Sequence, residues 1–103
     1  MRLRILPEAE LDLEKGADFY ELQNPGLGTY FNDCLVSDIE SLKLYVGIHE
    51  KYRGFFRALS KRFPFAIYYD VAADAVDIYA VLDCRQDPQK IDAALDVLRH
   101  SPQ

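Results

Sequence analysis

The chain has 103 residues and a formal net charge of −5; half of its residues are hydrophobic and 28% are charged. This balance is typical of one globular domain and excludes a disordered chain. Because no apolar run approaches the roughly 20 residues of a membrane-spanning helix, and because acids come too early for a signal peptide, we expect a single cytoplasmic domain over residues 1–103.

The first half of the chain predicts a short strand followed by two amphipathic helices. Residues 2–5 alternate apolar and charged side chains, which is the period of a strand. Pro7 ends that strand and suits the first turn of a helix, and apolar residues at helical spacing predict a helix over 8–22. After the break QNPGLG (23–28), a second apolar stripe predicts a helix over 27–45. Two such helices form a helical hairpin. Its apolar stripes must pack on a sheet or a third element to be stable.

The second half predicts three consecutive strands and a final helix. The predicted strands cover residues 55–61, 65–71 and 76–84. Residues 72–75 suit a hairpin turn, and Asp87 as N-cap with Pro88 at the first helical position begins a helix over 89–98. The order β-α-α-β-β-β-α, with strands and helices in separate blocks, predicts an α+β fold with a largely antiparallel sheet of about four strands packed against the helix pair.

Charge is distributed unevenly along this acidic chain. Residues 51–64 contain five bases and no acid, whereas residues 1–50 contain ten acids and four bases. Nucleic acid should repel the protein as a whole, because both carry negative charge. The basic segment is short, so any surface that it forms for an anionic partner is small. Lys61 and Arg62 stand just before the apolar stretch FPFAIYYDV, where they are either a soluble cap on a buried strand or part of such a surface.

The motifs of common enzyme and metal sites are absent from the sequence. It contains no GxGxxG, GxxxxGK[ST], HExxH, GxSxG or CxxC, so we expect neither a metal nor a cofactor. The spacing of Cys34 and Cys84 is not that of a metal site, and we interpret both as buried free thiols. A disulfide between them is the alternative. His49 and Tyr52 are candidates for a general acid and base, or they are exposed loop residues.

Two arginines are further candidates for a binding site. Arg57 falls in the first predicted strand of the second half, and Arg85 falls where the last strand ends. If these strands are near neighbours, the two guanidinium groups would form a clamp for a phosphate or a carboxylate. Alternatively, Arg57 pairs with an acidic helix face and Arg85 anchors the turn before the final helix.

Three stretches together resemble the RelE/ParE superfamily of bacterial type II toxins. They are PEAELDLEKGADFYELQNPGLGTYF, RALSKRFPFAIYY and VDIYAVLDCRQDP, and the resemblance spans about residues 3–90. It implies a curved antiparallel sheet covered by a helix pair. It also implies a toxin held inactive by a cognate antitoxin from an adjacent gene, whose C-terminal segment wraps the toxin.

The resemblance implies one of two activities. RelE-like members cleave mRNA on the ribosome, and ParE-like members poison DNA gyrase. The RelE-like reaction activates a ribose 2′-OH and stabilises charge at phosphorus, using a cation in the strand matching FAIYY, an arginine at the end of the last strand and a later Tyr or His. The first position falls here near Phe65 and Ala66, and the last near Lys90 and Ile91. Only the strand-end arginine, Arg85, matches.

This incomplete set of ribonuclease residues favours the ParE-like branch, because losing one charge-stabilising donor lowers a rate about 10²–10³-fold. We therefore expect the toxin of a plasmid-stabilisation-type module that binds DNA gyrase and forms a hetero-oligomer with its antitoxin, without a membrane partner. The candidates for target binding are Arg57, Lys61, Arg62 and Arg85. Two alternatives remain: a RelE-type ribonuclease acting on ribosome-bound mRNA, in which Arg57 replaces a missing cation, or a degenerate member that binds an antitoxin without toxicity.

Overall fold

A computed structural model describes residues 1–100, which form one mixed sheet with helices on both faces. The elements are β1 (Arg2–Ile5), α1 (Pro7–Gln23), α2 (Leu27–Ser41), β2 (Lys51–Tyr52), β3 (Phe55–Leu59), β4 (Phe65–Ala72), β5 (Ala75–Asp83) and α3 (Pro88–His100). The strand order is β1-β5-β4-β3-β2. β1 pairs with β5 in parallel, and all other neighbours are antiparallel. The predicted α+β class and element order are confirmed.

The sheet has five strands rather than about four, because β2 was not predicted. A strand of two residues is too short to show a period of two. Its position follows from the turn that joins it to β3, in which Arg53 and Gly54 have φ angles of 51° and 89°. Two consecutive residues with positive φ are what a type I′ hairpin turn requires, and this turn brings β2 back along β3.

Two predicted boundaries shift for local reasons, and one predicted helix start is confirmed. The second helix ends at Ser41 rather than at residue 45, and a single turn of 3₁₀-helix, Leu42–Leu44, follows it. β3 ends at Leu59 rather than at residue 61, because Ser60 and the next residues turn towards β4. The predicted N-cap of α3 is confirmed, since the Asp87 carboxylate accepts a hydrogen bond from the Gln89 N–H at 2.9 Å.

The two helices of the hairpin approach each other closely at Gly28. A Cβ atom on this residue would lie 2.5 Å from the Ala17 carbonyl oxygen and 2.9 Å from the Glu21 Cβ. The Glu21 carboxylate accepts hydrogen bonds from the Gly26 N–H at 3.0 Å and from the Gly28 N–H at 3.0 Å. One acidic side chain thus satisfies amide groups at the positive end of α2 and fixes the angle between the helices.

The sheet is buried on both faces, and β4 shows this most clearly. Phe65, Ile67 and Tyr69 point towards the α1–α2 hairpin and belong to the larger core. Ala66 and Tyr68 point the other way, into a second core under α3. An alternating strand covered on both sides must be apolar at every position, which explains the uninterrupted stretch FAIYY.

We expect Gly28→Ala to separate the helix hairpin and to lower the free energy of unfolding by about 1–3 kcal/mol, a typical cost of overpacking. The clash is with main chain of α1, so rotation of a side chain cannot relieve it. Urea denaturation followed by circular dichroism measures the change. The control is Thr29→Ala on the same turn, because Thr29 is exposed and should shift stability by no more than about 0.5 kcal/mol. Equal effects of the two changes would contradict the tight crossing.

Candidate binding surface

Four exposed cations lie along one edge of the sheet. We call them the basic edge; they are Lys51, Arg57, Lys61 and Arg62. Within residues 1–100, none of the four has a carboxylate within ion-pair distance. Two of them lie over aromatic rings instead. The Arg57 guanidinium is 5.7 Å from the centre of the Tyr52 ring, and the Lys51 ammonium is 4.9 Å from the centre of the Phe56 ring. Their charge is therefore open to a partner.

The loop that carries Lys61 and Arg62 is fixed to α2 by one buried carboxylate. Asp38 is only 8% exposed, and its Oδ2 accepts hydrogen bonds from the Ser60 hydroxyl at 2.6 Å and the Lys61 N–H at 3.2 Å. A buried carboxylate must be hydrogen-bonded to be stable. Asp38 therefore holds the backbone of this loop in place while the two cationic side chains stay exposed.

Arg85 is bound within the protein, in contrast to the basic edge. Its guanidinium donates two hydrogen bonds to the Asp83 carboxylate, at 3.0 and 2.8 Å, and one to the Tyr20 hydroxyl at 3.2 Å. This partner holds the pKa of Asp83 below its ordinary value. Arg85 thus reaches α1, whereas Arg57 lies on the α3 face beside Tyr68. Because β4 separates β3 from β5, the structure does not bring the two arginines together as a clamp.

His49 and Tyr52 are also kept apart. The His49 Nδ1 is 2.5 Å from the hydroxyl of Tyr69, which faces the helix hairpin. The Tyr52 hydroxyl belongs to the opposite face and donates to Asp92 of α3 at 2.5 Å. This hydrogen bond raises the pKa of Tyr52. The two residues are therefore part of separate hydrogen-bonded pairs on the two sides of the sheet.

The positions at which two of the ribonuclease residues would fall lie in the two cores or beside the second one. Phe65 is buried against the helix hairpin, and Ala66 is fully buried under α3. Ile91 of α3 is 9% exposed and packs in the same core as Ala66. Its neighbour Lys90 is exposed. An alanine and an isoleucine in this contact have no group that would bind phosphate or transfer a proton.

Polar contacts at the edge of this core hold α3 on the sheet. Arg53, in the β2–β3 turn, pairs with Asp96 of α3 at 2.7 Å. Arg99 lies 4.1 Å from the centre of the Phe55 ring and donates to the Gly54 carbonyl oxygen and to Asp70. Arg53 and Arg99 are thereby neutralised within the protein and do not add to the basic edge. These contacts also leave the opposite side of α3, towards α1, more open.

A groove lies on that open side, between the start of α1, β5 and α3. Its volume is about 460 Å³, and Tyr79, Leu82 and Leu98 are among its lining residues. Asp12 of α1 borders it and accepts a hydrogen bond from the Val81 N–H at 3.0 Å. This contact was not predicted from the sequence. The signal for it was helical spacing, because position 12 adjoins the buried stripe of α1 at Ala9 and Leu13.

Asp12 should make stability depend on pH. Burial raises the pKa of its carboxyl from 3.8 to about 6. Because the folded-state pKa lies above the unfolded value, the stabilisation is present below pH 3.8 and is lost as the pH rises to about 6. Asp12→Asn keeps an oxygen acceptor for Val81. We expect it to raise the free energy of unfolding at pH 7 by about 1 kcal/mol, discounted for partial solvent contact.

Urea denaturation from pH 3.5 to pH 8 measures this effect as a difference between variant and parent. The matched control is Glu14→Gln, an exposed carboxylate on the same helix. It should leave the pH profile unchanged. A parent and an Asp12→Asn variant whose profiles remain parallel throughout would contradict the assignment.

Some kinds of site are absent from residues 1–100. No group of three His, Cys, Asp or Glu side chains is arranged to hold a metal ion there. The helices of this part of the chain are too short or too polar to cross a membrane. Cys34 and Cys84 are partly buried and free, so no disulfide joins them in this structure.

The sequence matches no protein-family model and no curated protein. The fold does have a match among solved structures. A chain of the chromosomal ParDE toxin–antitoxin system from P. aeruginosa superimposes with a TM-score of 0.70 and 20% sequence identity, over 79% of this chain and 92% of that chain. The RelE/ParE-like fold that the sequence resemblance implied is therefore confirmed.

Proposed function

We propose that this RelE/ParE-like protein is the toxin of a bacterial type II toxin–antitoxin module, and that it acts by binding a target rather than by cleaving RNA. The likeness in fold to a chain of a ParDE toxin–antitoxin system supports the first part. A cognate antitoxin, encoded by an adjacent gene, would then neutralise the protein by forming a hetero-oligomer with it. Its place of action would be the cytoplasm, in a module of the plasmid-stabilisation type.

The burial of Ala66 under α3 carries the second part of the proposal. A residue that stabilises charge at phosphorus must bear a donor or a cation and must reach the substrate. Ala66 does neither, and Ile91 covers it. Arg85, the one residue that matches the ribonuclease pattern, already donates to Asp83. These three observations favour a protein that works without cleaving RNA.

DNA gyrase is the target that we propose, following the ParE-like branch of the superfamily. Binding of a protein target agrees with a chain of net charge −5 that keeps a small set of cations open. Arg57, Lys61 and Arg62 are the residues that we propose for target contact. Arg85 would contribute less, since its guanidinium is bound to Asp83.

We expect induced expression in a bacterial host to stop growth, with filamentation and induction of the DNA-damage response, and the purified protein to inhibit gyrase supercoiling. Co-expression of the protein encoded beside it should restore growth. Microscopy, a DNA-damage reporter and a supercoiling assay measure these outcomes. Rapid arrest of translation with cuts in mRNA would instead establish the ribonuclease alternative. Normal growth with folded protein and a bound antitoxin would establish the degenerate alternative.

Arg57→Ala should weaken growth arrest more than Arg85→Ala does. An exposed arginine that no carboxylate neutralises is the type of residue that dominates binding energy, and its loss typically costs about 2 kcal/mol, or about thirtyfold in affinity. The inducer concentration that halts growth is the measurement, and thermal unfolding shows that both variants fold. A larger effect of Arg85→Ala would contradict our choice of surface.

A further inference from the structure

We infer that the groove between the start of α1, β5 and α3 binds a small organic cation, namely an amine with an apolar body, and that the Asp12 carboxylate is its counter-ion. The groove is separate from the basic edge. The inference goes beyond the proposed toxin function and does not depend on it, and none of its tests uses growth arrest.

The groove has the size and the lining of a small-molecule site. Its volume of about 460 Å³ lies within the roughly 300–1,000 Å³ of ligand pockets. Leu82 of β5 and Leu98 of α3 form part of an apolar wall, and Tyr79 adds an aromatic ring whose centre is 4.9 Å from that of Phe55. These three lining residues pack against the second core. The wall is therefore in place before a ligand binds, which lowers the cost of ordering it.

Both of the charged residues that line the groove are acidic. Glu8 and Asp12 lie four positions apart and so share a face of α1, and the described lining residues include no lysine, arginine or histidine. The positive end of α1 would favour an anion, but a helix end carries only about half a charge. Two carboxylates outweigh it, so the groove favours a positively charged ligand.

Asp12 is a partly buried carboxylate without a counter-ion in the described part of the chain. Its Oδ2 accepts a hydrogen bond from the Val81 N–H at 3.0 Å, and within residues 1–100 no cation lies within ion-pair distance of it. Lys15 lowers the pKa of Asp12, but burial raises this pKa by more. Arg85, further along the chain, is already paired with Asp83. An organic cation in the groove would supply the counter-ion that the protein lacks.

Stability alone does not explain a carboxylate at position 12. An asparagine would accept the same hydrogen bond from Val81 without a charge that burial disfavours. Side chains that lower stability in this way are typical of functional sites. An acid at the wall of a preformed apolar groove therefore indicates a ligand that pairs with it.

The chemistry of the groove favours an organic amine over a metal ion. Metal ions such as Ca²⁺ need several oxygen ligands, and no group of three His, Cys, Asp or Glu side chains in residues 1–100 is arranged to hold one. A hydrated metal ion would also leave the apolar wall at Leu82 and Leu98 in contact with water. An alkyl or aryl ammonium uses both features, because its charge pairs with Asp12 and its body covers the wall.

Three ligands of similar shape and different charge test the inference on the purified protein. At neutral pH phenethylamine is positive, phenethyl alcohol is uncharged and hydrocinnamate is negative. We expect the amine to bind at least about tenfold more tightly than the alcohol, and hydrocinnamate to bind more weakly than the alcohol. NMR titration of the amide signals measures the three affinities. The signal of the Val81 N–H, which is bonded to Asp12, should be among those that move.

Asp12→Asn separates the contribution of charge from that of shape. The variant should lose the preference of at least about tenfold for the amine over the alcohol, while its affinity for the alcohol stays unchanged. Unchanged binding of the alcohol shows that the groove is still formed. The matched control is Glu14→Gln, an exposed carboxylate of the same helix that does not line the groove. It should keep the preference of the parent.

Ala94→Phe tests the shape of the site and leaves both carboxylates in place. Ala94 lines the groove from α3, so a phenylalanine there should fill the space and weaken the binding of the amine and the alcohol alike, at least about tenfold. Its neighbour Ala93 is exposed and lies outside the groove. Ala93→Phe is therefore the matched control and should bind both ligands as the parent does. Thermal unfolding shows that each variant is folded.

The preference for the amine should depend on pH, because only the ionised form of Asp12 attracts a cation. Burial raises the pKa of this carboxyl to about 6, and Glu8 and Lys15 act on it in opposite directions. The amine should therefore lose its advantage over the alcohol as the pH falls through about 6. Bound amine should in turn lower the pKa of Asp12 and move the pH profile of the protein's stability to lower pH.

Four results would overturn the inference. They are equal binding of the amine and the alcohol, a preference for the amine that survives in Asp12→Asn, tighter binding of hydrocinnamate, and a lysine peptide that binds more tightly than the amine. The third result would assign the site to the amides at the start of α1, and the fourth would assign it to a side chain of a protein partner. Failure of amine binding would leave the proposed toxin function standing, and absence of growth arrest would leave this site standing.

Discussion

The central strand β4 is buried on both of its faces, and the positions of the other elements follow from this constraint. Each apolar face must be covered, and no single element covers both. The α1–α2 hairpin packs on Phe65, Ile67 and Tyr69, and α3 packs on Ala66 and Tyr68. Strands β3 and β5 are then the neighbours of β4. The stretch FAIYY thus determines a three-layer arrangement.

Covering the second face with α3 decides what chemistry the sheet can perform. The helix lies over Ala66, so the middle of the sheet on that face is dry core rather than a cleft. Arg53 and Arg99 hold the helix in place, and both find carboxylates there. The remaining cations of the basic segment lie beyond the reach of those acids. The open charge of this segment therefore lies at the edge of the sheet and not over the face that α3 covers.

Sequence reasoning succeeded where a local cause determines the structure. The Asp87 cap and the break before α2 each follow from spacing or from one residue type. It failed where the cause lies far away in the sequence. β2 exists because a tight turn returns it to β3, and Arg85 pairs with Asp83 and Tyr20 rather than lying near Arg57.

The sequence by itself determined the order of the elements and the location of the uncompensated basic segment, because periodicity and composition act over a few residues. Only the tertiary structure decided which cations are open and which are bound within the protein. Ion pairs such as Arg4 with Asp77, or Arg53 with Asp96, join residues far apart along the chain. Their formation depends on strand order and helix placement, which no local pattern records. The same is true of the groove that Asp12 borders, since it exists only when α1, β5 and α3 are all in place.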